Sequence, residues 1–262
     1  MILFDTHCHI ADSAFDSDLP EVIDRFLQAG GRRAVVVADP CEEAPNQEKV
    51  FSLAESRDFL FGAIGVHPHN SIRYSDAVEK EMLSYLAREK CRLFGEIGLD
   101  YHYDLSPRKV QREVFDRQLE LAYNLNIPVQ LHIREAHGDC MDMLRARAKS
   151  GRMPAGIMHC FTGSWESAKV YLDLGLYISL SGAVTFKNAP KLAEVAEKMP
   201  ADRLLSETDC PYMAPVPMRG KRNEPSFISY TVSKIAYLRG ESPDAAAETL
   251  YRNACRALSL EC

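Results

Sequence analysis

The 262-residue sequence has no apolar run long enough to cross a bilayer, and it begins without the charged and then apolar stretch of a signal peptide. These absences exclude the class of proteins that span membranes by helices, so we expect a cytoplasmic protein with no membrane partner. Hydrophobic residues make up 46% and charged residues 26% of the chain, as in ordinary globular proteins. No shift in composition marks a linker, which favours a single domain over residues 1–262.

The sequence also lacks any CxxC pair, although it contains eight cysteines. Cysteines scattered through a chain of this length are typical of free thiols and not of a disulfide scaffold. Cys8, Cys160 and Cys210 each adjoin a residue that we propose below as a metal ligand. Neighbouring side chains on a strand point to opposite faces, so we expect these thiols to pack as small apolar groups, with Cys8 in particular not a ligand.

An excess of positive charge is missing as well, since the formal net charge is −6. A protein that tracks along duplex DNA usually presents a broad basic face, and this composition argues against one. A small pocket that reads phosphate remains compatible with it, because the field of such a pocket depends on a few local charges.

What the chain does contain is a repeated unit of a short apolar run, a polar loop and an amphipathic helix. The runs predict strands over residues 2–7, 33–38, 59–66, 92–97, 128–132, 156–159, 176–180 and 203–206. The intervening patterns predict helices over 19–29, 47–56, 76–88, 109–124, 140–149, 165–174, 189–198 and 226–238. Helices between strands imply parallel pairing with right-handed crossovers, so we predict an α/β protein with a (β/α)8 TIM barrel. An extra C-terminal helix over 242–258 is expected to pack on the outside of the barrel.

Six of the eight histidines fall at the C-terminal ends of the predicted strands, which converge on one face of a barrel. They are His7, His9, His67, His69, His132 and His159. A single histidine of this kind is as often a structural residue as a metal ligand, whereas six on one rim indicate a metal site.

Two carboxylates, Glu96 at the end of strand four and Asp209 after strand eight, complete a ligand set with His7, His9, His132 and His159. These side chains suffice for two divalent ions with one bridging carboxylate. The alternative is a single ion held by His7, His9, Asp209 and either His132 or His159. Zinc, magnesium and manganese all stay open, because imidazoles favour the first and carboxylates the other two.

Asp209 and Glu96 are the candidate catalytic residues, and we expect Asp209 to orient the attacking water and take its proton. The alternative for Asp209 is a structural role at the start of the loop. Candidate substrate contacts are His67, His69, Arg134 and Arg222, because imidazole and guanidinium groups suit anionic oxygens. For Arg134 an ion pair with Glu135 or Asp139 is the alternative, and for Arg222 a solvated basic loop. Glu207 points the same way as Asp209 and is a candidate partner for a ligand histidine.

Six segments together resemble the motif series of the TatD family of metal-dependent deoxyribonucleases. They are Asp5–His9, Gly65–His69, Gly95–Asp100, Leu131–Arg134, His159–Gly163 and Glu207–Pro211. The resemblance implies an amidohydrolase-type barrel in which Glu96 bridges two ions, one held by His7, His9 and Asp209, the other by His132 and His159. It also implies hydrolysis of DNA phosphodiesters, typically by a 3′-to-5′ exonuclease that prefers single strands. His102 departs from the pattern, which has a second aromatic or a small residue there.

Two other functions compete with this interpretation. The first is a metal-dependent phosphatase or amidase that acts on a small metabolite, which the negative net charge favours. The second is a binding protein with a vestigial site, which predicts missing ligands, whereas none is missing. The expected partner is therefore single-stranded DNA or a small phosphoester, with no obligate protein partner.

Overall fold

The computed structural model describes all 262 residues, and its centre is a sheet of eight strands in sequence order. The strands β1 to β8 are Leu3–Cys8, Gly31–Ala38, Leu60–Ile64, Cys91–Asp100, Val129–Arg134, Gly156–Met158, Tyr177–Leu180 and Leu204–Ser206. Each strand pairs in parallel with the next. Two hydrogen bonds join β8 to β1: Asp209 N–H donates to the His7 carbonyl at 3.0 Å, and His9 N–H to the Cys210 carbonyl at 2.8 Å. The predicted TIM barrel is confirmed.

Nine helices accompany the strands. The helices α1 to α9 are Leu19–Gln28, Gln47–Glu55, Asp76–Leu86, Arg108–Leu125, His137–Lys149, Trp165–Asp173, Pro190–Lys198, Ile228–Arg239 and Pro243–Ala257. Every predicted strand and helix is present, and most boundaries differ by one or two residues. None of the helices combines the length and the apolar character that a membrane span needs.

Two boundary differences lie at the rim where the polar residues cluster. β3 ends at Ile64, so His67 and His69 lie beyond it, at a short 3-10 helix over Pro68–Arg73. β4 continues three residues past its predicted end, to Asp100. Both differences move side chains relative to the mouth of the barrel, and the longer β4 places Asp100 beside the ligand histidines.

The last helix, α9, covers the N-terminal end of the barrel. Buried side chains from six different strands form one cluster with Tyr251, Ala254 and Cys255 of α9, and residues of so many strands meet only inside a barrel. The Asn253 side chain donates to the carbonyls of Ala201 and Leu204, at the start of β8, at 2.7 and 2.9 Å. The prediction of a position on the outside of the barrel is therefore wrong, because α9 closes the end opposite the candidate site.

Candidate metal centre

All six predicted metal ligands come together at the C-terminal ends of the strands. His7 and His9 flank the end of β1, Glu96 lies within β4 and His132 within β5, while His159 and Asp209 follow β6 and β8. Three overlapping groups of side chains each have their ligand atoms within 4.8 Å of one another. The groups are His7, His159 and Asp209; His7, His9 and Glu96; and His67, Glu96 and His132.

Glu96 stands at the centre of the site, with one carboxylate oxygen toward each side. Its Oε2 lies 3.5 Å from His7 Nε2, whereas its Oε1 lies 2.7 Å from His132 Nδ1 and 2.9 Å from His159 Nε2. We call His7, His9 and Asp209 the first cluster, and His132 and His159, which both contact Oε1, the second cluster. The two adjoin, because the His159 ring stacks on that of His7 at a centroid distance of 3.7 Å and lies within ligand reach of Asp209. A carboxylate placed between two sets of imidazoles in this way fits a ligand that is shared by two ions.

The first cluster gathers around the end of β1. His7 Nε2 and His9 Nε2 are 2.9 Å apart, and Asp209 Oδ1 lies 3.7 and 3.6 Å from them. Asp209 has a left-handed backbone, with a φ of 57°, in a region that aspartate tolerates better than most side chains. Its N–H bond to the His7 carbonyl holds this turn, so the same residue closes the barrel and presents a carboxylate to the cluster.

The second cluster has carboxylates behind its imidazoles. Asp100 Oδ2 lies 3.1 Å from His132 Nε2, on the side of the ring away from Glu96. Glu207 Oε1 lies 2.9 Å from His159 Nδ1, a close ion-pair contact that is not aligned as a hydrogen bond. This contact agrees with the prediction that Glu207 partners one of the candidate ligand histidines. Asp100 was missed, although positions 96, 98 and 100 of a strand share one face and so pointed to it.

The charges of the site leave room for cations. Glu96, Asp100, Glu207 and Asp209 form ion pairs with histidines alone, and no lysine or arginine approaches them. Burial raises the pKa of the Glu96 carboxyl, but the surrounding histidines offset this and hold it well below its usual range. Burial, reinforced by His159, holds the His7 pKa well below its usual value. Burial also lowers the pKa values of His9, His132 and His159, but the neighbouring carboxylates outweigh it and hold all three above their usual value. A divalent cation that binds the ionised carboxylates would take the place of the protons on these imidazoles, so the donor set fits such ions.

The four predicted substrate contacts fall into different settings, beginning with the two histidines after β3. His67 Nε2 lies 3.8 Å from Glu96 Oε1, which also brings it within reach of the second cluster. Its backbone N–H is held at 3.1 Å by Asp39, a buried carboxylate that sequence reasoning missed. His69 Nε2 lies 2.9 Å from Asp100 Oδ2, so one carboxylate contacts both His69 and His132. Both histidines line the approach to Glu96.

The two predicted arginine contacts differ in their partners. Arg134 forms neither of the ion pairs considered as alternatives, and its guanidinium lies over the Tyr103 ring, 4.7 Å from the centroid. Arg222 Nη2 instead lies 2.6 Å from Asp18 Oδ2, at the start of α1. Its substrate role stays a prediction that this pairing does not support.

Six of the eight cysteines are buried, whereas Cys160 is partly exposed and Cys262 is exposed. Cys8 is fully buried, and its Sγ donates to the Val35 carbonyl at 3.2 Å. No cysteine belongs to any of the three ligand groups. The prediction that Cys8 packs and does not bind metal agrees with this geometry.

Comparisons with known proteins show the family of this chain. The family model described as "TatD related DNase" matches residues 4–259. The chain is 41% identical over 255 residues to an uncharacterized metal-dependent hydrolase, YabD of Bacillus subtilis, covering 97% of this chain and 98% of that one. It is 34% identical over 264 residues to the 3′-5′ ssDNA/RNA exonuclease TatD of Pantoea ananatis, covering 98% and 100%.

Solved structures give the same result. The crystal structure of YJJV, a TatD homologue from Escherichia coli, superposes with a TM-score of 0.90 at 31% identity, covering 99% of this chain and 98% of that one. A TatD-family hydrolase from Entamoeba histolytica superposes with a TM-score of 0.87 at 20% identity, covering 98% of each chain, a likeness that shows the fold. The predicted metal-dependent hydrolase is confirmed, and the chain belongs to the family of TatD-related DNases.

Proposed function

We propose that the protein hydrolyses phosphodiester bonds in single-stranded DNA as a 3′-to-5′ exonuclease that uses two divalent ions. The observation that carries this proposal is Glu96, whose Oε2 faces His7 and whose Oε1 faces His132 and His159. The relative from Pantoea ananatis named as a 3′-5′ ssDNA/RNA exonuclease supports the choice of substrate.

The positions of these residues support two ion sites. His7, His9 and Asp209 would hold one ion, His132 and His159 the other, and Glu96 would contact both. Bound magnesium, manganese or zinc supplies Lewis acidity toward the phosphate oxygens and lowers the pKa of water.

The chain itself supplies the orientation of the reactants. Asp209 is partly exposed, with 16% of its side chain accessible, and nearby histidines hold its carboxyl pKa low in spite of burial. Its ionised carboxylate orients the attacking water and receives its proton. His67 and His69, on the approach to Glu96, donate to the phosphate oxygens of the substrate, and Arg134 adds a cationic donor at the rim.

Net charge supports the second candidate function, a metal-dependent phosphatase or amidase for a small metabolite. With a formal charge of −6, the chain as a whole repels an extended polyanion. The decisive difference between the two candidates is whether the site accepts a nucleic-acid strand.

The test is a comparison of substrates on one preparation of the protein. After treatment with a chelator, defined ions are restored, and the protein is given single-stranded and duplex oligonucleotides labelled at either end, together with a panel of small phosphoesters and amides. We expect stepwise shortening of the single strand from its 3′ end. Turnover of a small phosphoester or amide without cleavage of oligonucleotides would contradict the proposal and favour the second candidate.

The same proposal covers the setting of the reaction. All eight cysteines are free thiols, as in proteins of a reducing compartment, which supports a cytoplasmic location. We also propose that residues 1–262 act as one barrel domain, since α9 completes its closed end.

A further inference from the structure

An exposed tyrosine lies beside the mouth of the barrel. Tyr103 follows β4 and is 54% exposed. The Arg134 guanidinium lies 4.7 Å from its ring centroid, and the His69 ring meets it edge-on at 5.4 Å. Tyr103 is therefore a flat surface held by two neighbours that themselves lie at the site.

Arg134 carries a positive charge that no acidic side chain of the protein neutralises. The acidic groups near it in sequence are engaged elsewhere, since Glu135 contacts His102 Nδ1 at 2.7 Å and Asp139 contacts Arg112 at 3.0 Å. Arg134 itself takes part in no ion pair, so its charge remains available to an anion at the rim.

The Asp100 carboxylate connects Tyr103 to the candidate metal centre. Asp100 Oδ1 accepts hydrogen bonds from the backbone N–H groups of His102 and Tyr103 at 3.0 and 2.9 Å, while its Oδ2 contacts His69 and His132. The His69 ring links Tyr103 to the candidate ligand His132, with centroid distances of 5.4 and 6.2 Å. The tyrosine is thus positioned relative to the reacting phosphate by the same residue that positions a ligand.

We propose that Tyr103 is a stacking platform for the nucleobase next to the cleaved bond, with Arg134 contacting the adjoining phosphate. Every nucleobase has a π-face, so such a platform accepts single strands of any sequence, whereas paired bases cannot reach it. Arg134 on the same ring adds a charge that suits the phosphate backbone. This inference rests on the proposed nuclease function and names the feature that selects a base-bearing substrate over a small phosphoester.

The test compares Tyr103→Ala with Tyr103→Phe on oligonucleotides that carry either a base or an abasic site at the nucleotides flanking the cleaved bond. Loss of stacking is expected to raise KM for the base-bearing strand by about 5- to 100-fold in Tyr103→Ala, with little change for the abasic strand. Tyr103→Phe keeps the ring and should behave as the wild type. Tyr237→Ala is the matched control, because Tyr237 is 77% exposed on α8 and also has a neighbouring cation, Lys234.

The arginine is tested in parallel. Arg134→Gln is expected to weaken binding of base-bearing and abasic strands alike and to reduce the salt dependence of KM, as loss of a phosphate contact does. Its control is Arg203→Gln, because Arg203 forms the same kind of pair with Tyr177 at the opposite end of the barrel.

The possible outcomes distinguish failure of the Tyr103 platform from failure of the nuclease function on which it rests. If the wild type cleaves oligonucleotides but Tyr103→Ala treats base-bearing and abasic strands as the wild type does, the platform is refuted and the nuclease function stands. If the wild type cleaves no oligonucleotide, both are refuted. Loss of the base-dependent difference in Tyr103→Ala alone, with Tyr103→Phe and Tyr237→Ala unchanged, supports the platform.

Discussion

The two clusters on either side of Glu96 are built differently. In the second cluster, each imidazole has a carboxylate behind it, Asp100 for His132 and Glu207 for His159. In the first cluster, no carboxylate contacts His7 Nδ1, whereas His159 Nδ1, which also lacks an aligned hydrogen bond, lies 2.9 Å from Glu207 Oε1. His9 contacts only His7 and Asp209 within the site. A carboxylate behind a ligand histidine fixes the ring and raises its basicity. We therefore expect the second cluster to bind its ion more tightly, and the first cluster to exchange its ion more readily.

The largest effect is expected for Glu96, which both clusters share. Glu96→Ala should lower kcat by at least about 10³-fold and reduce the bound metal in both clusters, because the only ligand common to them is lost. Metal analysis and steady-state kinetics check this result. Glu89→Gln, an exposed carboxylate before β4, is the control. Retention of the full metal content in Glu96→Ala would refute the shared ligand.

Asp209 belongs to the first cluster and is also the proposed proton acceptor for the attacking water. In Asp209→Asn we expect kcat to fall by about 10²- to 10⁴-fold even with saturating metal, since the proton acceptor is removed. Asparagine tolerates the left-handed backbone at this position, so the free energy of unfolding should change by less than about 1 kcal/mol. The ion of the second cluster should be retained. Turnover close to that of the wild type would show that Asp209 does not receive the proton.

Substitution of the carboxylates behind the second cluster is expected to have a smaller effect. It tests directly whether the two clusters differ in metal affinity. Asp100→Asn and Glu207→Gln should each weaken metal affinity by about 10- to 100-fold, and excess metal should restore much of the activity. Titration of activity against free metal measures this shift. Unchanged metal affinity in both variants would contradict the expected difference between the clusters.

The smallest effect is expected at Cys8, which lies between two ligands without joining them. Cys8→Ala should destabilise the fold by about 1 kcal/mol, through lost packing and the lost contact with the Val35 carbonyl, and should leave the metal content unchanged. Denaturant unfolding combined with metal analysis checks both parts. A lower metal content with normal stability would identify Cys8 as a ligand.

Much of the fold and the ligand set follows from local pattern. Apolar runs alternating with amphipathic segments predicted all eight strands, and a barrel then brings His7, Glu96, His132 and Asp209 to one end whatever the details of the loops. The position of α9 could not be predicted in this way, because an amphipathic pattern shows that one face is buried but not which surface covers it.

Contacts between distant loops were also beyond the sequence. Arg222 meets Asp18 across 204 positions of the chain, and nothing local marks the pair. Asp100 lies in the segment Gly95–Asp100, but its contact with His132 depends on β4 continuing past its predicted end. Strand ends are the least certain part of such a pattern. The stacking of Arg134 on Tyr103 likewise joins the end of β5 to the loop after β4, which only the pairing of these strands brings together.

Electron paramagnetic resonance of the metal-free protein titrated with Mn²⁺ tests the shared role of Glu96 most directly. We expect the spectrum of an isolated ion while the second cluster fills, and then the spectrum of an exchange-coupled pair as the first cluster fills. The pair signal should be absent from Glu96→Ala. The spectrum of isolated ions at every ratio of Mn²⁺ to wild-type protein would contradict a centre in which Glu96 joins two ions.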